Sequence, residues 1–275
     1  MQIFGIDFTS APTRRKPITC ALCALHDDRL TLQQCLSLPT FEEFEVFLQR
    51  AGPWCAAFDF PFGLPRPLLA NLGWPQQWED TIQFVAALGK AGFEESITRY
   101  CAGQPPGQKL LLRATDVLAR SRSPMMLHRV PVGKMFFQGA TRLLQSGVNI
   151  LPCRPNTDSR IVLEGYPALV ARRWLGLRSY KSDERARQTQ EQLAARRVLM
   201  QALCSPALFD SYSLHLNLPD PLAETLISDP MADLLDALLC AIQSAWAYTQ
   251  RTNGYGIPRG CDGDEGWIVD PALFS

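Results

Sequence analysis

Along this chain the apolar positions fall into short unbroken runs, alternating stretches and helical clusters, and these lay out its elements in order. The opening "MQIFGIDFTS" is an apolar run whose first acid, Asp7, stands where the run ends, as in a strand with a polar tip. "ITCALCALHDD" and "RLTLQQCLSLP" follow as two more strands, and the polar "HDDR" between them suits a hairpin turn. In "TFEEFEVFLQRAG" the residues Phe41, Phe44, Val46, Phe47 and Leu48 cluster at helical spacing; Thr40 is the N-cap, Glu43 follows three residues later, and Gly52 is the stop. "PWCAAFDFPFGLP" predicts a buried strand ending at Asp59, because Pro61 and Pro65 prevent continuation. Residues 66–155 then form a mainly helical insertion, rich in Gly and Pro. "RIVLEGYP" is a further strand ending at Glu164, stopped by Pro167, and "ALVARRWLGL" and "DERARQTQEQLAARRVLMQAL" are helical. The last helix is "DPMADLLDALLCAIQSAWAYTQ", with Asp229 as its cap and Pro230 in its first turn. Strands, a helix, a strand, helices, a strand and helices again predict a single α/β domain over residues 1–275. Its sheet is mixed, with a leading hairpin and later crossovers.

Composition adds bounds rather than identity. The chain has 275 residues, 47% hydrophobic and 20% charged, enough for one large core. Its 27 basic and 27 acidic residues cancel, so net charge names no partner, but their distribution is uneven. Residues 105–204 carry seventeen Lys/Arg against six Asp/Glu, whereas residues 205–275 carry two against ten. A basic middle beside an acidic end suits a polyanion-binding surface next to an acidic centre, or a set of solvated helix faces. Nine cysteines with scattered spacing argue against a disulfide framework and for a reducing compartment. Cys20 and Cys23 sit on one strand, where positions three apart face opposite ways, so they are expected to be buried hydrophobes and not metal ligands. No basic-then-apolar leader opens the chain and no uninterrupted apolar run reaches eighteen residues; a cytoplasmic protein without a membrane partner is the expectation.

The candidate chemistry lies in the acids. Three strands end in one: Asp7, Asp59 and Glu164. Sites of open α/β sheets lie beyond the carboxyl ends of strands, so parallel neighbours would bring these acids to one edge, although any one of them could equally serve a turn. Asp233 and Asp236 are the only charges between Met231 and Gln250, and at i and i+3 they share one helix face. That face continues as Ala237, Cys240, Ser244 and Ala247, small residues that permit close packing where a solvated face carries Lys or Glu. Partly buried aspartates are therefore expected. Carboxylates crowded together repel and would partly protonate. A divalent cation removes the conflict, and oxygen ligands select Mg²⁺ or Mn²⁺; two such ions about 4 Å apart can promote phosphodiester cleavage.

At these residues the chain resembles a known group. "GIDFTSA", "AFDFPFGLP", "LEGYPALVARRWLG", "YKSDERARQ", "DLLDALLCAIQSAW" and "EGWIVDP" are together similar to the domain-of-unknown-function family 429 (DUF429), whose members are described as predicted ribonuclease H-like nucleases. The resemblance runs from Gly5 to Pro271 and rests on the order and spacing of the motifs more than on any one of them. It implies a five-stranded mixed sheet with the second strand antiparallel to the rest. Metal-binding acids then come from the first strand, the fourth strand and a C-terminal helix, which by position are Asp7, Asp59 and the Asp233/Asp236 pair. The D-x-x-D-A pattern of the last helix is similar to that of Holliday-junction resolvases, which generally carry Glu where this chain has the shorter Asp59. Glu164 belongs to the family's own E-x-[HY]-P motif and is a catalytic candidate without a standard ligand role; Tyr166, Lys181 and Arg185 are weaker candidates for phosphate contact. The expected partner is nucleic acid, DNA or RNA. Two alternatives stand beside the nuclease: a non-catalytic nucleic-acid-binding module of the same fold, and an actin-like or sugar-kinase-like ATPase. The last is disfavoured because "GIDFTS" has Thr9 where a phosphate-binding hairpin has its second glycine, and "TSAPTRRKP" has none.

Overall fold

The computed structural model describes residues 1–274. A hairpin meander of β1 (Gln2–Asp7), β2 (Ile18–His26) and β3 (Arg29–Leu38) leads into α1 (Phe41–Leu48) and β4 (Trp54–Phe58). Four helices follow: α2 (Arg66–Leu72), α3 (Trp78–Ala102), α4 (Ala114–Ala119) and α5 (Val132–Ser146). The chain returns through β5 (Asn149–Ile150) and β6 (Arg160–Glu164) to α6 (Pro167–Leu175), α7 (Gln190–Leu203) and α8 (Pro206–Tyr212). It closes with β7 (His215–Asn217), α9 (Asp220–Ser228) and α10 (Asp233–Thr249), followed by short 3-10 turns.

All seven strands join one mixed sheet in the order β5-β6-β4-β1-β2-β3-β7. β1 runs antiparallel to β2 and parallel to β4, β2 runs antiparallel to β3, and β6 runs parallel to β4. Among the inner five strands, then, β2 alone is reversed. The sheet has seven strands and not five because β5 and β7 add an edge each, both parallel to their neighbours. They span two and three residues, too few for a period-2 pattern to register in the sequence.

Side-chain parity divides the interior into two cores. Phe4, Ile6, Trp54, Ala56, Phe58 and Val162 pack with residues of α1, α2, α3 and α5. Ile3, Cys55, Ala57, Ile161 and Leu163 pack with residues of α6 to α10. Cys20 falls in the first core and Cys23 in the second, on opposite faces as a strand requires. Thr40 caps α1 through a 3.2 Å bond from the Glu43 N–H, but the helix ends at Leu48, before Gly52.

α10 lies directly on the sheet. A Cβ at Gly5 would stand 2.0 Å from the Ala237 carbonyl oxygen and 2.1 Å from the Ala241 nitrogen, so helix and strand meet backbone to backbone. At Gly165, just past β6, a Cβ would come within 3.2 Å of Cys240 Sγ and of Gln243 Oε1. Both faces of α10 are accordingly buried from Leu235 to Ala247. Its start differs from the expected cap. Asp229 instead closes α9, donating its N–H to the Thr225 carbonyl, and its Oδ1 accepts from the Met231 N–H. Ala232, in the left-handed region at φ 58°, caps α10 and its carbonyl takes the first intrahelical bond, from Asp236. The left-handed turn at Ala232 interrupts the chain after Pro230, so the helix begins three residues later than expected and Asp233 and Asp236 occupy its first turn. Negative charge is favoured there by the helix dipole.

Candidate active site

Register and parity decide which acids meet. Ile6 pairs with Phe58 across β1 and β4, and the Asp59 N–H donates to the Ile6 carbonyl at 2.9 Å, so Asp7 and Asp59 leave the sheet side by side. Both share the parity of Gly5 and Ala57, the face that α10 covers. On the other flank Asp7 pairs with Thr19 of β2, whose hydroxyl donates to the Asp233 carbonyl at 2.8 Å. That bond ties the first turn of α10 to the start of β2, beside the end of β1. Asp7 is 9% exposed, Asp233 6% and Asp236 0%, while Asp59 is partly open to the cavity beside it.

Glu164 does not join them. It pairs with Phe58, one residue short of Asp59, and a shift of one residue turns its side chain to the opposite face of the sheet. The position beside Asp59 belongs to Gly165 instead. On its own face Glu164 meets a buried guanidinium: Arg113 Nη2 donates to Oε1 at 2.6 Å and Nη1 to Oε2 at 2.8 Å. The Phe62 N–H adds a third bond at 2.9 Å. Arg113 also donates from Nε and Nη2 to Asp116, the acid in the first turn of α4. Burial opposes the Arg113 charge, but Glu164 and Asp116 more than offset it and hold its pKa well above the ordinary value. Both oxygens of Glu164 are thereby engaged.

The four aspartates are balanced differently. Tyr180 donates its hydroxyl to Asp236 Oδ1 at 2.6 Å, and the Lys181 ammonium donates to Asp236 Oδ2. Burial opposes the Lys181 charge, but Asp236, Tyr180 and Asp7 outweigh it and keep the ammonium protonated well past its ordinary range. Burial, reinforced by Asp236, Asp233 and Asp59 against the pull of Lys181, lifts the Asp7 carboxyl well above the usual range. Burial, then Asp236, pushes Asp59 up to about 7. Asp233 is raised to about 6, again chiefly by burial, although Lys16 and Lys181 pull it down. One bonded ammonium is too little charge for three buried carboxyls and the half-buried Asp59, so part of the cluster holds protons near neutrality. The donor chemistry suits a hard dication. The arrangement as it stands does not hold one: among the described residues no group of three or more His, Cys, Asp or Glu side chains is placed to bind a metal ion.

A cavity of about 220 Å³ opens beside the cluster. Asp59, Asp236, Lys181 and Tyr180 line one side and Glu164, Arg113 and Asp116 another, with Phe60, Val130, Val132 and Met135 as an apolar wall and Arg122 among the lining residues. Tyr166 also lines it, and its hydroxyl accepts from Arg172 Nη2 at 2.6 Å. Arg185 does not; it is exposed on a 3-10 turn, Arg185–Arg187. Nearly half of the basic middle of the chain is paired internally. Eight of its seventeen Lys/Arg form ion pairs: Arg113, Lys134, Arg142, Arg154, Arg160, Arg173, Lys181 and Arg187.

Sequence reasoning missed Arg113, Asp116 and Tyr180. Arg113 lies outside any periodic stretch, and only its long-range pairing with Glu164 exposes its role. The tail left a signal in "EGWIVDP". The Val269 N–H donates to the Glu164 carbonyl at 2.9 Å, Glu265 accepts from the Arg66 N–H, and the buried Asp270 accepts from Tyr212 and Gln243. Gln243 in turn accepts from the Tyr166 N–H, which braces the cavity wall against α10.

Fold and site together define a three-layer α/β protein with acids gathered at the carboxyl ends of its parallel strands. The chain belongs to the family described as protein of unknown function (DUF429), which matches residues 5–256 and so includes all four aspartates, Glu164 and Lys181 but not the "EGWIVDP" tail. Comparison with curated proteins and with solved structures gave no match. No helix among the described residues is long and apolar enough to cross a membrane.

Proposed function

We propose that this chain is a hydrolase of phosphodiester bonds in nucleic acid, working with Mg²⁺ or Mn²⁺ held among Asp7, Asp59, Asp233 and Asp236. The observation that carries this is the gathering of four carboxylates from β1, the end of β4 and α10 around a single ammonium. The reversal of β2 alone among the inner five strands supports a ribonuclease H-like arrangement, with β5 and β7 as additions at the edges. When bound, the cation would activate water and neutralise charge on the leaving oxygen. The chain's own side chains would do the rest. Arg122 and Lys181 would hold the phosphate, and Phe60, Val130, Val132 and Met135 would exclude bulk water. Arg113, by fixing Glu164 and the Phe62 N–H, would keep the segment after β4, which carries Asp59, in place. The test is cleavage of labelled single- and double-stranded DNA and RNA with Mn²⁺ or Mg²⁺. Cleavage is expected in the wild type and at least a hundredfold less in Asp7→Asn. Undiminished cleavage by that variant sinks the assignment.

The Lys181–Asp236 pair favours one other role, a nucleic-acid-binding module in which the ammonium is the permanent counter-charge and no bond is cut. Binding with a steep salt dependence, without cleavage in any divalent cation, selects it.

A further inference from the structure

Resting on the metal-dependent function proposed above, we infer that Lys181 is the exchangeable counter-ion of the carboxylate site: its ammonium occupies the charge position of the divalent cation and swings into the cavity when that cation binds. Four observations carry this. Asp236 is fully buried, with one oxygen taken by Tyr180 and the other by Lys181, so neither oxygen is free while the ammonium stays in place. Lys181 is the only basic side chain bonded to any of the four aspartates among the described residues, and it sits among charges that one ammonium cannot neutralise. Its side chain is 38% exposed and lines the cavity, so it has a way out; the Arg113 side chain, at 1%, has none. Its backbone, by contrast, is pinned. Arg196 Nη1 donates to the Tyr180 carbonyl at 2.8 Å, Gln192 Nε2 to the Lys181 carbonyl at 3.0 Å, and Arg196 Nε to the Ile227 carbonyl at 2.6 Å. Exchange is therefore a side-chain swing on a fixed main chain. The four-carbon stem of lysine, with its compact rotatable charge, suits such a swing, whereas a planar guanidinium forked across a carboxylate suits permanence. Released, the ammonium lies in the same cavity as Arg122, where a phosphate would meet it.

The exchange makes the tethered ammonium a competitor of the free ion, and this is measurable without any substrate. Mn²⁺ alone is titrated into wild type and Lys181→Gln, with binding followed by electron paramagnetic resonance and unfolding followed with and without the ion. Lys181→Gln is expected to bind Mn²⁺ at least ten times more tightly, and to melt below wild type without metal but not with it. Equal or weaker binding by the variant, with wild-type binding intact, overturns the exchange and leaves metal dependence standing; no binding by either protein overturns both. Should Lys181→Gln fail to fold, wild type alone decides the matter. With an amine-acylating reagent and mass spectrometry, Mg²⁺ must raise the labelling of Lys181, and unchanged or reduced labelling refutes the exchange.

Discussion

Two acid clusters flank one cavity, and they settle their charge in opposite ways. In the Arg113 knot every partner is matched: a forked guanidinium spans Glu164 and Asp116, and backbone N–H groups and the Ser121 hydroxyl take remaining lone pairs. In the aspartate cluster a single ammonium faces four carboxyls, and it bonds to only one of them. The first arrangement is complete and rigid, so its acids serve the fold. Burial raises Glu164 in the first as well, but in the second three carboxyls are raised around one bonded ammonium. Buried acids of identical chemistry thus differ in role because of what stands against them.

The sharpest way to break this contrast is to remove the guanidinium. Arg113→Met leaves Glu164 and Asp116 buried without a counter-charge and is expected to cost about 3–5 kcal/mol in urea unfolding; a loss below about 1 kcal/mol would mean the knot is not structural. Close behind comes Gly5→Ala, which drives a methyl group into the backbone of α10. Overpacking costs about 1–3 kcal/mol where neighbours can shift, and here they are main chain, so the upper end is expected. Asp7→Asn should do the reverse of Arg113→Met: by deleting one uncompensated acid it should leave the metal-free midpoint unchanged or slightly higher. A clear drop in its melting temperature would place Asp7 among the structural acids instead.

A gentler probe is pH. Asp59 and Asp233 have carboxyls raised on folding, to about 7 and about 6, so between the unfolded range near 4 and those values the folded chain holds protons that the unfolded chain has lost. Stability must then fall as pH rises from about 5 to about 7.5, and Asp7, whose carboxyl is also raised, adds to the fall. Calorimetry without metal should record this slope, Asp59→Asn should flatten it, and saturating Mn²⁺ should abolish it. A melting temperature that climbs over that interval contradicts the raised carboxyls. The smallest effect is expected at Arg185, which is exposed and outside the cavity: Arg185→Ala should change unfolding by less than about 0.5 kcal/mol, and cleavage by less than twofold.

Much of the site was legible. Asp7 and Asp59 could be read because each closes an apolar run, and Asp233 and Asp236 because charges inside an otherwise apolar helix demand a partner. Glu164 closes an apolar run just as clearly, yet it faces away from them, since the register of β6 on β4 cannot be read from either strand. The start of α10 was misplaced because Asp229-Pro230 carries every local sign of a cap, and only the left-handed turn at Ala232 cancels it. The basic stretch looked like a surface for polyanions, but almost half of it is consumed by ion pairs, six of the eight with acids brought from distant elements.

Periodicity and composition, being local, sufficed to order the elements and to single out four aspartates at strand ends and within a helix, while the order and spacing of short motifs carried the resemblance to the family. Charge balance is set by distance through space. Only the folded chain could bring Lys181 to Asp236 and Arg113 to Glu164, and thereby divide the acids into those forked by a guanidinium and those that share one bonded ammonium.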